Sequence, residues 1–206
     1  SPMTLLSKYQ SRRAFLKSAS QAVAAGTVLG IPQFVPNRVL GAPGRPGANE
    51  RIIVGHIGVG GMGGGHLNYM VARMRRGDVS IAAVCDVDEK RLSNAAKKAG
   101  EQATPYRDYR YVLERDDIDA VVMATPDHWH AVQTVHAAQS GKHVYVEKPA
   151  CCTIEEGKAM IAAGEANKVA IQIGSQGRSQ RECHKAHPYI AHGKIAPVPK
   201  LTSWHY

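Results

Sequence analysis

Gly58-Val59-Gly60-Gly61-Met62-Gly63 places three glycines at the spacing G-x-G-x-x-G. Without a Cβ, glycine lets backbone amides come close to a bulky anion. Between a strand and a helix, this run has the chemistry of a pyrophosphate seat. Gly58 permits the tight turn, Gly60 admits the phosphates, and Gly63 lets helix and strand pack closely. Gly61 and Met62 begin the helix whose amides would donate. The motif alone is weak, because Gly64 and Gly65 make the segment rich enough in glycine to match by chance. Asp86, in Val84-Cys85-Asp86-Val87-Asp88, strengthens it. It lies 28 residues after Gly58, beyond the usual spacing of about 20, and a short insertion around Arg75–Asp78 is expected to take up the excess. A carboxylate at this strand end accepts hydrogen bonds from ribose hydroxyls and repels a 2′-phosphate, which favours NAD over NADP. Arg91 reads two ways. It would bind a 2′-phosphate or lie over adenine, or it is a solvated helix residue.

Two further polar segments, Ala124-Thr125-Pro126-Asp127-His128-Trp129-His130 and Val146-Glu147-Lys148-Pro149, end predicted strands, where open α/β sheets bind ligands. The histidines warrant a metal check. His128 and His130 are two apart, and Cys183, His184 and His187 fall on one predicted helix. No acidic or thiolate cluster completes a tetrahedral set, so no metal site is expected. Cys85, Cys151, Cys152 and Cys183 form no C-x-x-C pair and read as small buried apolar residues.

These residues need a scaffold of alternating strands and helices. Strands are expected at Ile52–Ile57, Val79–Val84, Asp119–Ala124, His143–Val146 and Val169–Ile173. Helices are expected after the glycines through Met74, and over Asp88–Ala99, Tyr109–Arg115, His130–Gln139, from Thr153, and over Gln180–His192, with Gly141 and Gly193 closing two of them. Strands joined by helices imply a doubly wound parallel sheet with right-handed crossovers. A last strand is expected over Lys200–Tyr206.

The 206 residues suffice for one sizeable domain, and a 44% hydrophobic content argues against disorder. The net charge is +9, which raises a nucleic-acid reading. However, residues 1–51 hold seven bases against one acid, leaving only +3 for the 155 that follow. The excess belongs to the leader, and no nucleic-acid partner is expected. Ser11-Arg12-Arg13-Ala14-Phe15-Leu16-Lys17 resembles the twin-arginine export motif. A moderately apolar stretch from Ala19 to Leu29 and the small residues Gly41-Ala42 follow it. Residues 1–41 therefore read as a twin-arginine signal peptide and 42–50 as a Pro/Gly linker. The product is expected to be periplasmic, cut near 39–43, and to touch the membrane only through the signal.

From Ile52 to about Tyr206 the chain resembles the Gfo/Idh/MocA oxidoreductases. The phosphate loop, Cys85-Asp86-Val87-Asp88, Thr125-Pro126-Asp127-His128-Trp129-His130, Gly141-Lys142-His143-Val144-Tyr145-Val146-Glu147-Lys148-Pro149 and Gln172-Ile173-Gly174-Ser175-Gln176 occur in the family's order. The resemblance implies a Rossmann domain over 51–178, and a connecting helix and first substrate-domain strand over 179–206. It implies that Glu147, Lys148 and Pro149 bind the cofactor. Lys148 would act near the nicotinamide, orienting a hydroxyl or stabilising oxyanion character, with burial allowing it to exchange a proton. Thr125, Pro126 and His130 would line the ribose and nicotinamide, and His128, Gln176 and Arg178 would face a sugar or polyol substrate. The expected activity is hydride transfer between a sugar or cyclitol secondary alcohol and the nicotinamide. The alternatives are an NAD-dependent glycoside hydrolase of the same fold and a non-catalytic dinucleotide-binding module. Because only the first strand of the substrate domain is expected, catalysis by this chain alone is doubtful. A homo-oligomer is expected only if a full substrate domain exists.

Overall fold

The computed structural model describes residues 50–194 together with Gly47, Pro199, Lys200 and Thr202. Six parallel strands form one sheet: β1 (Ile52–Ile57), β2 (Val79–Cys85), β3 (Thr104–Tyr106), β4 (Ala120–Met123), β5 (His143–Glu147) and β6 (Ile171–Gly174). Their spatial order is β3-β2-β1-β4-β5-β6. The helices between them are α1 (Gly61–Arg76), α2 (Glu89–Ala99), α3 (Tyr109–Leu113), α4 (Asp127–Gln139) and α5 (Ile154–Asn167). A 3-10 turn (Gln176–Ser179) and α6 (Arg181–Ala191) follow β6. The chain reverses direction across the sheet between β1 and β4. Their carboxyl ends therefore diverge into a crevice, the usual ligand position of such sheets.

Two apolar clusters sandwich the sheet. One joins Val54, Ile81 and Val84 to Leu67 of α1 and to Leu92, Ala95 and Ala99 of α2. The other joins Ile57, Val121, Met123 and Val146 to Val112 and Leu113 of α3, Ala131 and Ala137 of α4, and Met160 of α5. Strands covered on both faces need mostly apolar runs, which is what β1, β2 and β4 carry, with His56 of β1 buried among them. The helix ends are capped locally. Asp88 Oδ1 accepts from Arg91 N ahead of α2. Thr153 and Glu156 close a capping box at α5.

Most expected elements are present, with shifted boundaries. The strand expected at Asp119–Ala124 is the fourth rather than the third, because the three-residue β3 was not anticipated. Pro105 weakened its signal, and proline is tolerated there because β3 is a sheet edge. No separate insertion separates α1 from β2. The long Gly58-to-Asp86 spacing is taken up by α1, which runs 16 residues to Arg76 before Gly77 turns it at φ 87°. α4 begins at Asp127 rather than His130. Cys85 is buried as expected, but Cys152 and Cys183 are exposed. The signal peptide (1–41), most of the linker and most of the strand expected over Lys200–Tyr206 lie outside the described residues.

Candidate functional site

The phosphate loop joins β1 to α1 and leans on the end of β4. Gly58 has φ 80°, and a Cβ on it would lie 2.6 Å from Ala124 O and 2.8 Å from Thr125 N. A Cβ on Gly63 would lie 1.8 Å from Gly58 O, so helix and strand meet backbone to backbone. Around Gly61, by contrast, nothing among the described residues lies within 4 Å of the Cβ position. α1 carries neither a side-chain cap at Gly60 nor an acid in its first turn. Its N-terminal amides thus have open space and no competing carboxylate, which fits a pyrophosphate. Met62, in the first turn, is exposed.

Asp86 closes the β2 side of the crevice. It is buried, and Oδ2 accepts from Val59 N at 2.9 Å while Oδ1 accepts from Asp88 N at 2.9 Å. The carboxylate therefore tethers the phosphate loop to the β2 end, and each oxygen retains acceptor capacity for a ribose hydroxyl. Cys85 O accepts from Gly58 N at 2.8 Å. Burial pushes the Cys85 thiol up to about 12, so that side chain serves as apolar filling. Arg91 is exposed, and its guanidinium lies over the loop: a Cβ on Gly60 would stand 3.0 Å from Nη1.

At the opposite end of the crevice, two turns are bound together by His130. Its Nδ1 lies 2.6 Å from Pro149 O and its Nε2 2.8 Å from Thr125 O, with the ring fully buried. His130 thus fixes the Thr125-Pro126 turn against the Lys148-Pro149 turn, whose peptide bond is cis. Thr125 Oγ1 donates to Gln133 Oε1 at 2.7 Å. Lys148 and Pro149 are exposed, so the described residues do not supply the burial expected around Lys148. Glu147 is buried. Its Oε1 accepts from His66 Nε2 at 2.6 Å and from Gln176 Nε2, and its Oε2 from Lys148 N at 3.2 Å.

Beside Glu147 a cleft of about 780 Å³ lies over β4, β5 and β6, between α1 and the 3-10 turn. His66, Tyr69, Tyr145, Gln172, Gln176 and Arg178 are among its lining residues. Gln176 and Arg178 are thus brought together there. His128 is not among them and stands exposed in the first turn of α4 beside Trp129. Sequence reading missed His66 and Tyr145. The available signal was the position of His66, one turn after Gly63 on the helix that opens at the glycines. Among the described residues, no group of three His, Cys, Asp or Glu is placed to hold a metal, and no helix is long and apolar enough to cross a membrane.

A doubly wound parallel sheet with this cradle and this crevice defines a dinucleotide-binding domain. Residues 52–175 match the oxidoreductase family with an NAD-binding Rossmann fold, Gfo/Idh/MocA, and the chain belongs to that family. It is 34% identical over 164 residues to an alpha-N-acetylgalactosaminidase of Shewanella oneidensis, which is 70% of this chain and 35% of that protein. Among solved structures it resembles scyllo-inositol dehydrogenase from Lactobacillus casei with bound NAD(H) and scyllo-inositol. That match has a TM-score of 0.64 and 26% identity, and covers 71% of this chain and 42% of the other. It also resembles the WlbA dehydrogenase from Bordetella pertussis in complex with NADH and UDP-GlcNAcA. Here the TM-score is 0.64 and the identity 27%, over 71% of this chain and 43% of the other. The chain therefore spans well under half the length of each of these relatives.

Proposed function

We propose that this domain binds NAD in preference to NADP, and that the protein it serves transfers hydride between a secondary alcohol of a sugar or cyclitol and the nicotinamide. The observation that carries the cofactor choice is Asp86, a buried carboxylate tethered to the phosphate loop where the adenosine ribose would lie. A 2′-phosphate there would meet a negative charge held in place by two backbone amides. In this reading the α1 amides seat the pyrophosphate, and Asp86 accepts from the ribose hydroxyls. Thr125, Pro126 and His130 set the wall beside the nicotinamide. Bound NAD supplies the hydride acceptor. Lys148 presents its ammonium at the same edge, where it can hold a substrate hydroxyl or its developing oxyanion. Gln176 and Arg178 line the adjoining cleft as hydrogen-bond donors to a polyhydroxylated substrate. Residues 1–41 would direct twin-arginine export, giving a mature N-terminus near 39–43; an exported protein still starting at Met3 or Thr4 would contradict this.

Titrating the chain with both cofactors tests the cofactor claim: NAD is expected to bind more tightly, and tighter binding of NADP overturns the preference. For the reaction, the complete protein incubated with polyols and NAD is expected to accumulate NADH. The likeness to an alpha-N-acetylgalactosaminidase supports a second reading, glycoside cleavage with transient oxidation of the sugar by bound NAD. Release of an aglycone without net NADH separates that reading from the first.

A further inference from the structure

Glu147 is a buried carboxylate at the carboxyl end of β5, with 4% of its surface exposed. A charge so placed needs hydrogen-bonding partners. Among the described residues it has three: Lys148 N, one residue along the chain, Gln176 from the 3-10 turn, and His66 from α1 at 2.6 Å. The chain has also made room for this group on β6. A Cβ on Gly174 would stand 2.8 Å from Glu147 Oε1 and 2.7 Å from the Tyr145 hydroxyl. The His66 ring is braced by Tyr145, which meets it edge-on at 5.2 Å between centroids. Of the three contacts, the one from His66 has a distinctive reach. α1 is the helix whose first turn offers the pyrophosphate seat, and Glu147 directly precedes the Lys148-Pro149 turn. The His66–Glu147 contact therefore joins the phosphate end of the crevice to its reactive end through rigid elements.

We propose that His66 is a positioning residue for the nicotinamide half of the cofactor: it holds Glu147, and through it the Lys148-Pro149 turn, in fixed register with the phosphate loop. The proposal rests on reading the domain as NAD-binding. His66 acts through Glu147 rather than on a phosphate. Its loss should therefore weaken binding of ligands that carry a nicotinamide and spare those that end at the pyrophosphate-linked ribose.

The 206-residue chain and its variants are titrated with NADH and with ADP-ribose, which shares the adenosine and pyrophosphate but lacks the nicotinamide. His66→Ala is expected to weaken NADH binding about tenfold, the scale of one hydrogen bond to a charged group, while moving ADP-ribose less than about twofold. His66→Gln, which keeps a side-chain N–H donor, should recover most of the loss. Equal weakening of both ligands would mean that His66 merely supports α1, and would overturn the proposal, as would unchanged NADH binding. Should His66→Ala disturb folding, Glu147→Gln probes the same contact from its other side. Selective loss of NADH affinity in that variant supports the proposal, and its absence overturns it. If the unmodified chain binds neither ligand, the cofactor reading itself fails. If it binds both and the variants show no selectivity, only the role of His66 fails.

Discussion

Single side chains in this domain hold backbone segments together. Asp86 shows this best, since its two oxygens accept from Val59 N of the phosphate loop and from Asp88 N ahead of α2, tying the loop to the β2 end. Asp86→Ala leaves both amides without that partner, and should cost about 1–3 kcal/mol in urea unfolding while weakening NAD binding. His56 gives a pH prediction. It is fully buried on β1, with neither ring nitrogen hydrogen-bonded among the described residues. Burial, aided by nearby His66, lowers its pKa from 6.5 to about 4. Below pH 6.5 the unfolded chain takes up this proton and the native chain does not. Stability is therefore complete above about 6.5 and falls as pH drops toward 4, by on the order of 3 kcal/mol in all. His56→Leu, which cannot titrate, should flatten that slope in denaturation curves taken from pH 7 to 4. An unchanged slope would assign the dependence to other groups.

Elements set the next constraint, and α1 is the decisive one. Its start carries the glycine loop and brings Gly63 backbone-to-backbone against Gly58, just past the end of β1. Gly63→Ala puts a methyl group 1.8 Å from a carbonyl oxygen, so α1 must move off the sheet. The expected cost is about 3 kcal/mol or more, visible as a lowered urea midpoint together with lost NAD affinity. Gly65→Ala is the control, because a Cβ there meets nothing within 4 Å among the described residues. An added methyl at an open helical position should be neutral or slightly stabilising. The element pattern was largely legible in the sequence, because strands buried on both faces are mostly apolar runs and Gly141 and Gly193 punctuate the helices. β3 was not legible: three residues including Pro105 carry no periodicity, and they pair only because β2 offers them an edge.

At the scale of the molecule, the two covered faces of β1 and β2 contrast with the cleft over β4 to β6. There Gln172 and Ile173 are exposed on the last strand. The sheet is thus most tightly built around the phosphate loop, and most open beside Glu147, Gln176 and Arg178. A cofactor that bridges the crevice should stabilise the whole domain by mass action. At a hundredfold excess over its dissociation constant, NAD is expected to add about 2.7 kcal/mol. A rise in Tm of several degrees follows, at about 2–4 °C per kcal/mol, with a smaller rise for NADP at equal concentration. Equal shifts for the two would argue that Asp86 does not discriminate between them.

The sequence by itself determined the doubly wound class, the phosphate loop, Asp86 and the turns around Thr125 and Lys148. Each of these is local: a glycine spacing, a strand end or a run of apolar residues is written in consecutive positions. The tertiary structure decided what those pieces do to one another. That His130 bonds both turns, that Asp86 tethers the loop, and that His66 reaches Glu147 across 81 positions are contacts between distant segments. They exist because parallel strands bring their carboxyl ends to one edge, and no spacing along the chain encodes that convergence.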